Sequence, residues 1–220
     1  MYFSRRLVKA LQMSSKTLEN KFTSKHYPLI SQHERSKLLG HQPLTVWMTG
    51  LSASGKSTLA FALEAKLYEL GIKSYVLDGD NVRHGLNSDL GFSHQDRSEN
   101  IRRAAEVARL LNESGLVVIS AFISPYNEDR LIAKKIIGKD YFIEVYLNTP
   151  IETCEERDPK LLYENARQGL LAEFTGISAP YEQPKNPDII FNTASSSLDA
   201  NVINLVEFLL PKILLKAAKA

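Results

Sequence analysis

One stretch restricts this chain more than any other. The apolar run LTVWMT (Leu44 to Thr49) feeds the loop GLSASG, which is followed by Lys56-Ser57 and by leucines at positions 59, 63, 67 and 70. Those leucines fall on one face of a helix, which Gly71 closes. The order is therefore strand, glycine-bounded loop, helix. A loop in that setting turns its backbone N–H groups inward, and the helix N-terminus adds positive potential. Together they make a cradle for phosphate. The spacing Gly50, four residues, Gly55-Lys56-Ser57 is meaningful only with an apolar strand before it and a helix after it. Both are present.

The remainder repeats the alternation. SYVLD reads as a second strand ending in DGDN. SENIRRAAEVARLLNESG carries Ile101, Ala104, Ala108 and Leu111 on one helical face and is closed by Gly115. LVVISAF is continuously apolar, as a strand covered on both faces must be. A helix near Glu128 to Ile137, a strand in YFIEVYLN, a last strand in DIIFNT and a closing helix from SLDANVINLVEFLLPKILLK complete the pattern. Strands alternating with helices predict an α/β fold of three layers, a parallel sheet with helices on both faces. Ligands in such sheets bind beyond the carboxyl ends of the strands. The loops after Met48, Leu77, Ala121 and Leu147 are thus expected to build the site.

The loop matches the Walker A pattern of P-loop proteins. Gly50, Leu51, Ser52, Ala53, Ser54, Gly55, Lys56, Ser57 and Thr58 are expected to hold a nucleoside triphosphate, ATP above others. Lys56 is expected to bridge the β- and γ-phosphates, and the Ser57 hydroxyl to ligate Mg²⁺. ATPases, GTPases and small-molecule kinases share this loop. The guanine-reading NKxD segment is absent, since NPD at Asn186 lacks the lysine, and a motor or transporter ATPase is ordinarily longer. A kinase for a small acceptor fits best. Asp78 and Asp80 stand at the tip of the second strand, where carboxylates hold Mg²⁺ or take a proton from an attacking hydroxyl. Asp-Gly-Asp is also ordinary turn chemistry. Arg83, Arg97, Arg102 and Arg103 bring cationic forks suited to phosphate or sulfate, although Arg102 and Arg103 cannot both face one site. Phe92 suits either a stacked base or the core. His84 and His94 read as surface loop residues.

Composition narrows the class. Of 220 residues, 44% are hydrophobic and 24% charged, enough for a full core, and the net charge of +2 is too small to argue for nucleic acid. The single cysteine, Cys154, excludes an intrachain disulfide and a cysteine-rich metal site, and reads as a buried small hydrophobe. No run of eighteen apolar residues exists, so a protein of a reducing compartment, the cytoplasm, is expected. Residues 1–42 form an N-terminal extension before the domain at 43–220. The acid-poor start, with Arg5, Arg6, Lys9 and Lys16, reads either as a plain amphipathic lead-in or as an organelle transit segment.

Several segments together carry a resemblance. GLSASGKST, LDGDNVRHGLNSDLGFSHQDRSENIRR, AFISPYNEDR, EVYLNTPIETCEERDPKLLY and EFTGISAPYEQP resemble the adenylylsulfate (APS) kinases, from about Pro43 onward. The resemblance implies transfer of the γ-phosphate of ATP to the 3′-hydroxyl of adenosine 5′-phosphosulfate, with PAPS and ADP as products. It implies Asp80 nearest the acceptor hydroxyl, with Asp78 supporting Mg²⁺. Arg83, Arg97 and Asn100 would hold the phosphosulfate and ribose. Phe92 and Phe174 would sandwich the acceptor adenine beside Ile101, Ile123 and Gly176. Ser124 matches the serine proposed in this family as a phosphoserine intermediate, and equally suits a hydrogen bond to substrate. Arg157 would pack over the ATP adenine, and Lys160 lies in a lid spanning about 157–176. The family is often dimeric and is coupled to, sometimes fused with, ATP sulfurylase, for which a chain of this length leaves no room. Three positions depart from the common pattern. Ala53 and Leu161 replace glycines, and His84 replaces an aromatic. Another small-molecule P-loop kinase and a catalytically silent copy are the rival readings.

Overall fold

The computed structural model describes residues 28–215. The basic start, with its transit-segment reading, lies outside the described residues. A compact unit begins at Gln32. Helix α1 (Gln32–Leu39) leads into β1 (Leu44–Thr49), the phosphate loop and α2 (Lys56–Glu69). There follow β2 (Ser74–Asp78), the short α3 (Gly79–Arg83), α4 (His94–Glu113), β3 (Val117–Ala121) and α5 (Asn127–Ile137). A 3-10 turn (Lys139–Tyr141) precedes β4 (Phe142–Leu147), then α6 (Ile151–Arg157), α7 (Leu162–Arg167), β5 (Ile189–Phe191) and α8 (Leu198–Ile213).

The five strands are all parallel, in the order β2-β3-β1-β4-β5. β1 is central and every residue of it is buried, including Thr45, whose hydroxyl donates to Asn112 Oδ1 at 2.7 Å. Its alternate side chains serve two cores. Val46 and Met48 join Leu59, Leu63 and Leu67 of α2 and Leu205 and Leu209 of α8. Trp47 points the other way, stacks on Phe122 and Phe142 at 5.5 and 5.8 Å, and packs with Ile101, Ala104 and Ala108 of α4. The small alanines let α4 approach the sheet closely around the indole. The predicted three-layer arrangement is thus the one observed.

One helix differs from its expected limits and another was not anticipated. α4 starts at His94, four residues before the expected Ser98, because Ser93 caps it. The Ser93 hydroxyl accepts from Asp96 N–H at 3.2 Å and donates to the Asp96 carboxylate at 2.8 Å. The signal Ser-x-x-Asp was available in the sequence. α1 carries almost no apolar face; only Ser36 is buried. It is held by hydrogen bonds instead. Gln32 Nε2 donates to Asn112 O at 3.0 Å and Tyr141 Oη donates to Gln32 Oε1 at 3.0 Å.

Candidate active site

The carboxyl ends of the strands open into a cleft of about 1260 Å³. The loops after β1, β2, β3 and β5 and the segment between α6 and β5 line it. At its floor the phosphate loop turns on Gly55, whose φ of 96° is left-handed and suits a residue without Cβ. Gly50 is constrained differently: a Cβ there would lie 2.8 Å from Leu147 O and from Ser54 Oγ. The first turn of α2 carries no acidic residue of its own.

Lys56 is buried and curls over the loop. Its Nζ donates to Gly50 O at 3.0 Å, to Leu51 O at 2.6 Å and to Ser54 Oγ at 3.4 Å. Burial pushes its ammonium down to about 8, with Cys154, Asp78 and Asp80 opposing the shift. It is therefore still mostly a cation near neutrality. Ser57 Oγ donates to Asp78 Oδ2 at 2.7 Å. The other oxygen of Asp78 accepts from the N–H groups of Asp80 and Asn81 at 3.0 and 3.3 Å, capping α3. The turn chemistry of Asp-Gly-Asp and its chemical role thus coexist in one side chain. A hydroxyl and a carboxylate side by side are hard oxygen donors and fit Mg²⁺.

Asp80 faces the cleft and is ion-paired to Lys160. One wall of the cleft is built around Phe92, which is 60% exposed. The Arg83 guanidinium lies 4.4 Å from the ring centroid and that of Arg97 5.7 Å. Arg97 is nearly buried and spans two segments, donating to Phe92 O at 2.8 Å and to Glu173 O at 2.7 Å. It therefore ties the segment of Phe92 to the one bearing Phe174. Asn100 Oδ1 accepts from Asn87 Nδ2 at 2.9 Å. Phe174 meets Tyr163 edge to face at 5.0 Å, and Tyr163 Oη donates to Ser52 O at 3.0 Å.

Most of the residues singled out in the sequence line this one cleft: Ser52, Ala53, Gly55, Lys56, Ser57, Thr58, Asp78, Asp80, Arg83, Phe92, Arg97, Asn100, Ile101, Ile123, Ser124, Arg157, Lys160 and Phe174. Gly50, Leu51, Ser54 and Gly176 do not. The first three shape the loop from behind, and Gly176 packs on Leu51, where a Cβ would come to 2.9 Å. Ser124 is 2% exposed and takes φ 39°. Its hydroxyl accepts from the Trp47 indole N–H at 3.2 Å. Arg102 and Arg103 both turn to Glu99, and Arg103 also pairs with Asp89, so neither serves the cleft. His84 is exposed in the turn that closes α3, the surface loop position expected, and it also lines the cleft. His94 opens α4 and packs its ring 4.2 Å from that of Tyr126. Cys154 is fully buried, as expected. Thr193, Ser196 and Asn201, which no sequence motif singles out, line the cleft from the β5 side. These residue types carry no pattern of their own, and only the sheet order brings them beside the loop.

A phosphate loop with its lysine, a Ser57–Asp78 oxygen pair, a second acid two residues on and a cationic, aromatic wall define a P-loop phosphotransferase. The chain belongs to the adenylylsulphate kinase family, whose profile matches residues 42–192. The adenylyl-sulfate kinase of Clostridium kluyveri is 50% identical over 188 residues, covering 86% of this chain and 94% of that relative. That of Clostridium acetobutylicum is 53% identical over 180 residues, covering 82% and 90%. Among solved structures, the Mycobacterium tuberculosis APS kinase in complex with AMPPNP and APS is 50% identical. It covers 76% of this chain and 98% of that one, with a TM-score of 0.74.

Proposed function

We infer that this chain is an adenylyl-sulfate kinase: it moves the γ-phosphoryl group of ATP to the 3′-hydroxyl of APS, giving PAPS and ADP. The observation that carries the reading is the placement of Asp80 two residues beyond Asp78 of the Ser57–Asp78 pair, in the same cleft as Arg83, Phe92 and Arg97. Phosphoryl transfer asks a protein mainly for in-line positioning and charge neutralisation. Lys56 and the loop amides hold the triphosphate. Bound at Ser57 and Asp78, Mg²⁺ supplies further charge neutralisation on the phosphate chain. Arg83, Arg97 and Asn100 hold the phosphosulfate and ribose, and Phe92 and Phe174 take the acceptor adenine between them. The 3′-oxygen attacks the γ-phosphorus, the bond to the bridging β–γ oxygen breaks, and the hydroxyl proton passes to Asp80. Arg157 packs over the base of ATP, and the segment 157–176, with Lys160 on Asp80, excludes water.

Ser124 acts by position and not as a covalent relay. Its hydroxyl is buried against Trp47, and a phosphoryl group there would displace the indole N–H. The test is product identification from APS and ATP·Mg²⁺ with three proteins. The parent forms PAPS. Asp80→Asn loses at least about a hundredfold in turnover, within the range for general bases. Ser124→Ala stays within about tenfold, whereas removal of an obligatory nucleophile costs several powers of ten. Parental turnover in Asp80→Asn removes that acid from the chemistry. A cytoplasmic homodimer that receives APS from an ATP sulfurylase belongs to the same proposal. Among the described residues, no helix is long and apolar enough to cross a membrane. Sedimentation of the full chain checks the dimer.

A further inference from the structure

Past β5 the chain turns through residues 192–197 into α8. Thr193 lies in this turn and lines the cleft beside the phosphate loop. Its hydroxyl stands 2.8 Å from Arg157 Nη1, 2.9 Å from Ser54 O and 2.9 Å from Thr149 Oγ1. Its carbonyl accepts from Arg157 Nη2 at 2.8 Å. Its side chain also lies against Gly55, within 3.5 Å of where a Cβ would be.

The partners restrict the direction of each bond. A guanidinium only donates and a carbonyl only accepts, while a hydroxyl has one hydrogen and two acceptor sites. Thr193 therefore accepts from Arg157. The Thr149 hydroxyl also lies 3.2 Å from Ser54 O, so the two threonines form a pair in which one hydroxyl donates to Ser54 O and the other to its neighbour. Two consequences follow. Arg157 is gripped by two parallel bonds, which set the plane of its guanidinium. Ser54 is fully buried and outside the cleft lining, with its carbonyl held on the far side of the loop.

We propose that Thr193 is a positioning residue for ATP: it fixes the Arg157 plane that packs over the base, and it holds the back of the phosphate loop so that the loop's amides keep facing the triphosphate. The inference rests on the reading above that Arg157 lies over the ATP base. It adds a residue to the nucleotide side of the cleft and makes no claim on the acceptor side, since Thr193 contacts none of Arg83, Phe92, Arg97 or Asn100 in the bonds described.

The experiment compares Thr193→Val, which keeps the shape and removes the hydroxyl, with Thr193→Ser, which keeps the hydroxyl. Binding of MgADP is measured by calorimetry without acceptor. KM is measured for ATP and for APS, and thermal midpoints are recorded. Loss of a bond to a charged group together with a buried partner predicts that Thr193→Val weakens MgADP binding and raises KM for ATP about tenfold. KM for APS stays within about twofold, and Thr193→Ser returns both nucleotide values to within about threefold of the parent. Parental MgADP affinity in Thr193→Val overturns the inference. So does an equal rise in both KM values with a lowered midpoint, the mark of a merely structural role, or a serine variant as impaired as the valine one. A parent that binds MgADP but makes no PAPS sinks the kinase reading alone, because the calorimetric comparison still decides the role of Thr193.

Discussion

Four non-glycine residues among those described take positive φ: Ala53 at 57°, Ser124 at 39°, Leu161 at 54° and Glu173 at 54°. Every one is in or beside the cleft: Ala53 in the phosphate loop, Ser124 after β3, Leu161 before α7, and Glu173 next to Phe174. Left-handed backbone costs an L-residue about 1–2 kcal/mol, so such conformations persist only where surrounding bonds impose them. For Ser124 the imposing bonds are visible: its carbonyl accepts from Arg130 and from Thr49. At Leu161 the side chain is 58% exposed and contributes little burial. Relief of the strain there exceeds the extra entropy that glycine loses on folding, about 0.5–1 kcal/mol. Leu161→Gly is therefore expected to raise the thermal midpoint, while Leu161→Ala, which keeps a Cβ at the same φ, is not. A melt of the three proteins checks this, and a lowered midpoint for the glycine variant removes strain as the account of that position.

Among the elements, α7 depends heavily on a single side chain. It has only six residues, too short to stand by propensity. Asp158 supplies its start: its carboxylate accepts from the N–H groups of Leu162, Tyr163 and Glu164 at 2.8, 2.8 and 3.1 Å. α7 in turn sets Tyr163 on Ser52 O and against Phe174. Loss of such a cap costs about 0.5–2 kcal/mol, which a six-residue helix cannot absorb. Asp158→Ala is expected to leave the global midpoint within a few degrees but to loosen the lid locally. Water then reaches the transferring group, so ATP hydrolysis without APS rises relative to PAPS formation. Measuring ADP release with and without APS gives the ratio. An unchanged ratio in Asp158→Ala would show that α7 does not exclude water.

At the scale of the molecule, the two ends of the described domain meet at His41. Its ring is buried, accepts Lys73 N–H at Nε2 from 3.0 Å, and has Nδ1 3.3 Å from Gln42 O. The next residue binds the end of α8, with Gln42 N–H donating to Ile213 O at 2.7 Å. Because Nε2 accepts, the ring is neutral there and Nδ1 carries the proton. Burial, aided by Lys73, lowers its pKa below the ordinary 6.5, while the bond to Gln42 opposes the shift. The sign follows from linkage. The unfolded chain takes up the proton first, so the contribution of His41 is complete above 6.5 and is lost as pH falls below it toward the folded value. The thermal midpoint is expected to decline between pH 7 and pH 5.5. His41→Gln should lower the midpoint at pH 7 and flatten that decline. Glu99, which paired Arg102 and Arg103 hold down to about 2, titrates well below this window and does not confuse it. An equal decline in both proteins would assign the effect elsewhere.

What the residues alone determined is whatever repeats locally. The phosphate loop, the five strands, the long helices and the acid–arginine–aromatic set at the second strand were legible, because periodicity, glycine placement and motif spacing are properties of neighbours in sequence. The continuous apolar run LVVISAF announced a strand covered on both faces for the same reason, and every residue of β3 is buried. What only the tertiary structure decided is which distant groups share a bond. α1 has no apolar stripe to reveal it and exists through Gln32, Asn112 and Tyr141. Thr193 stands 139 residues from the carbonyl it holds, and the pair meets only because parallel strands align their carboxyl ends.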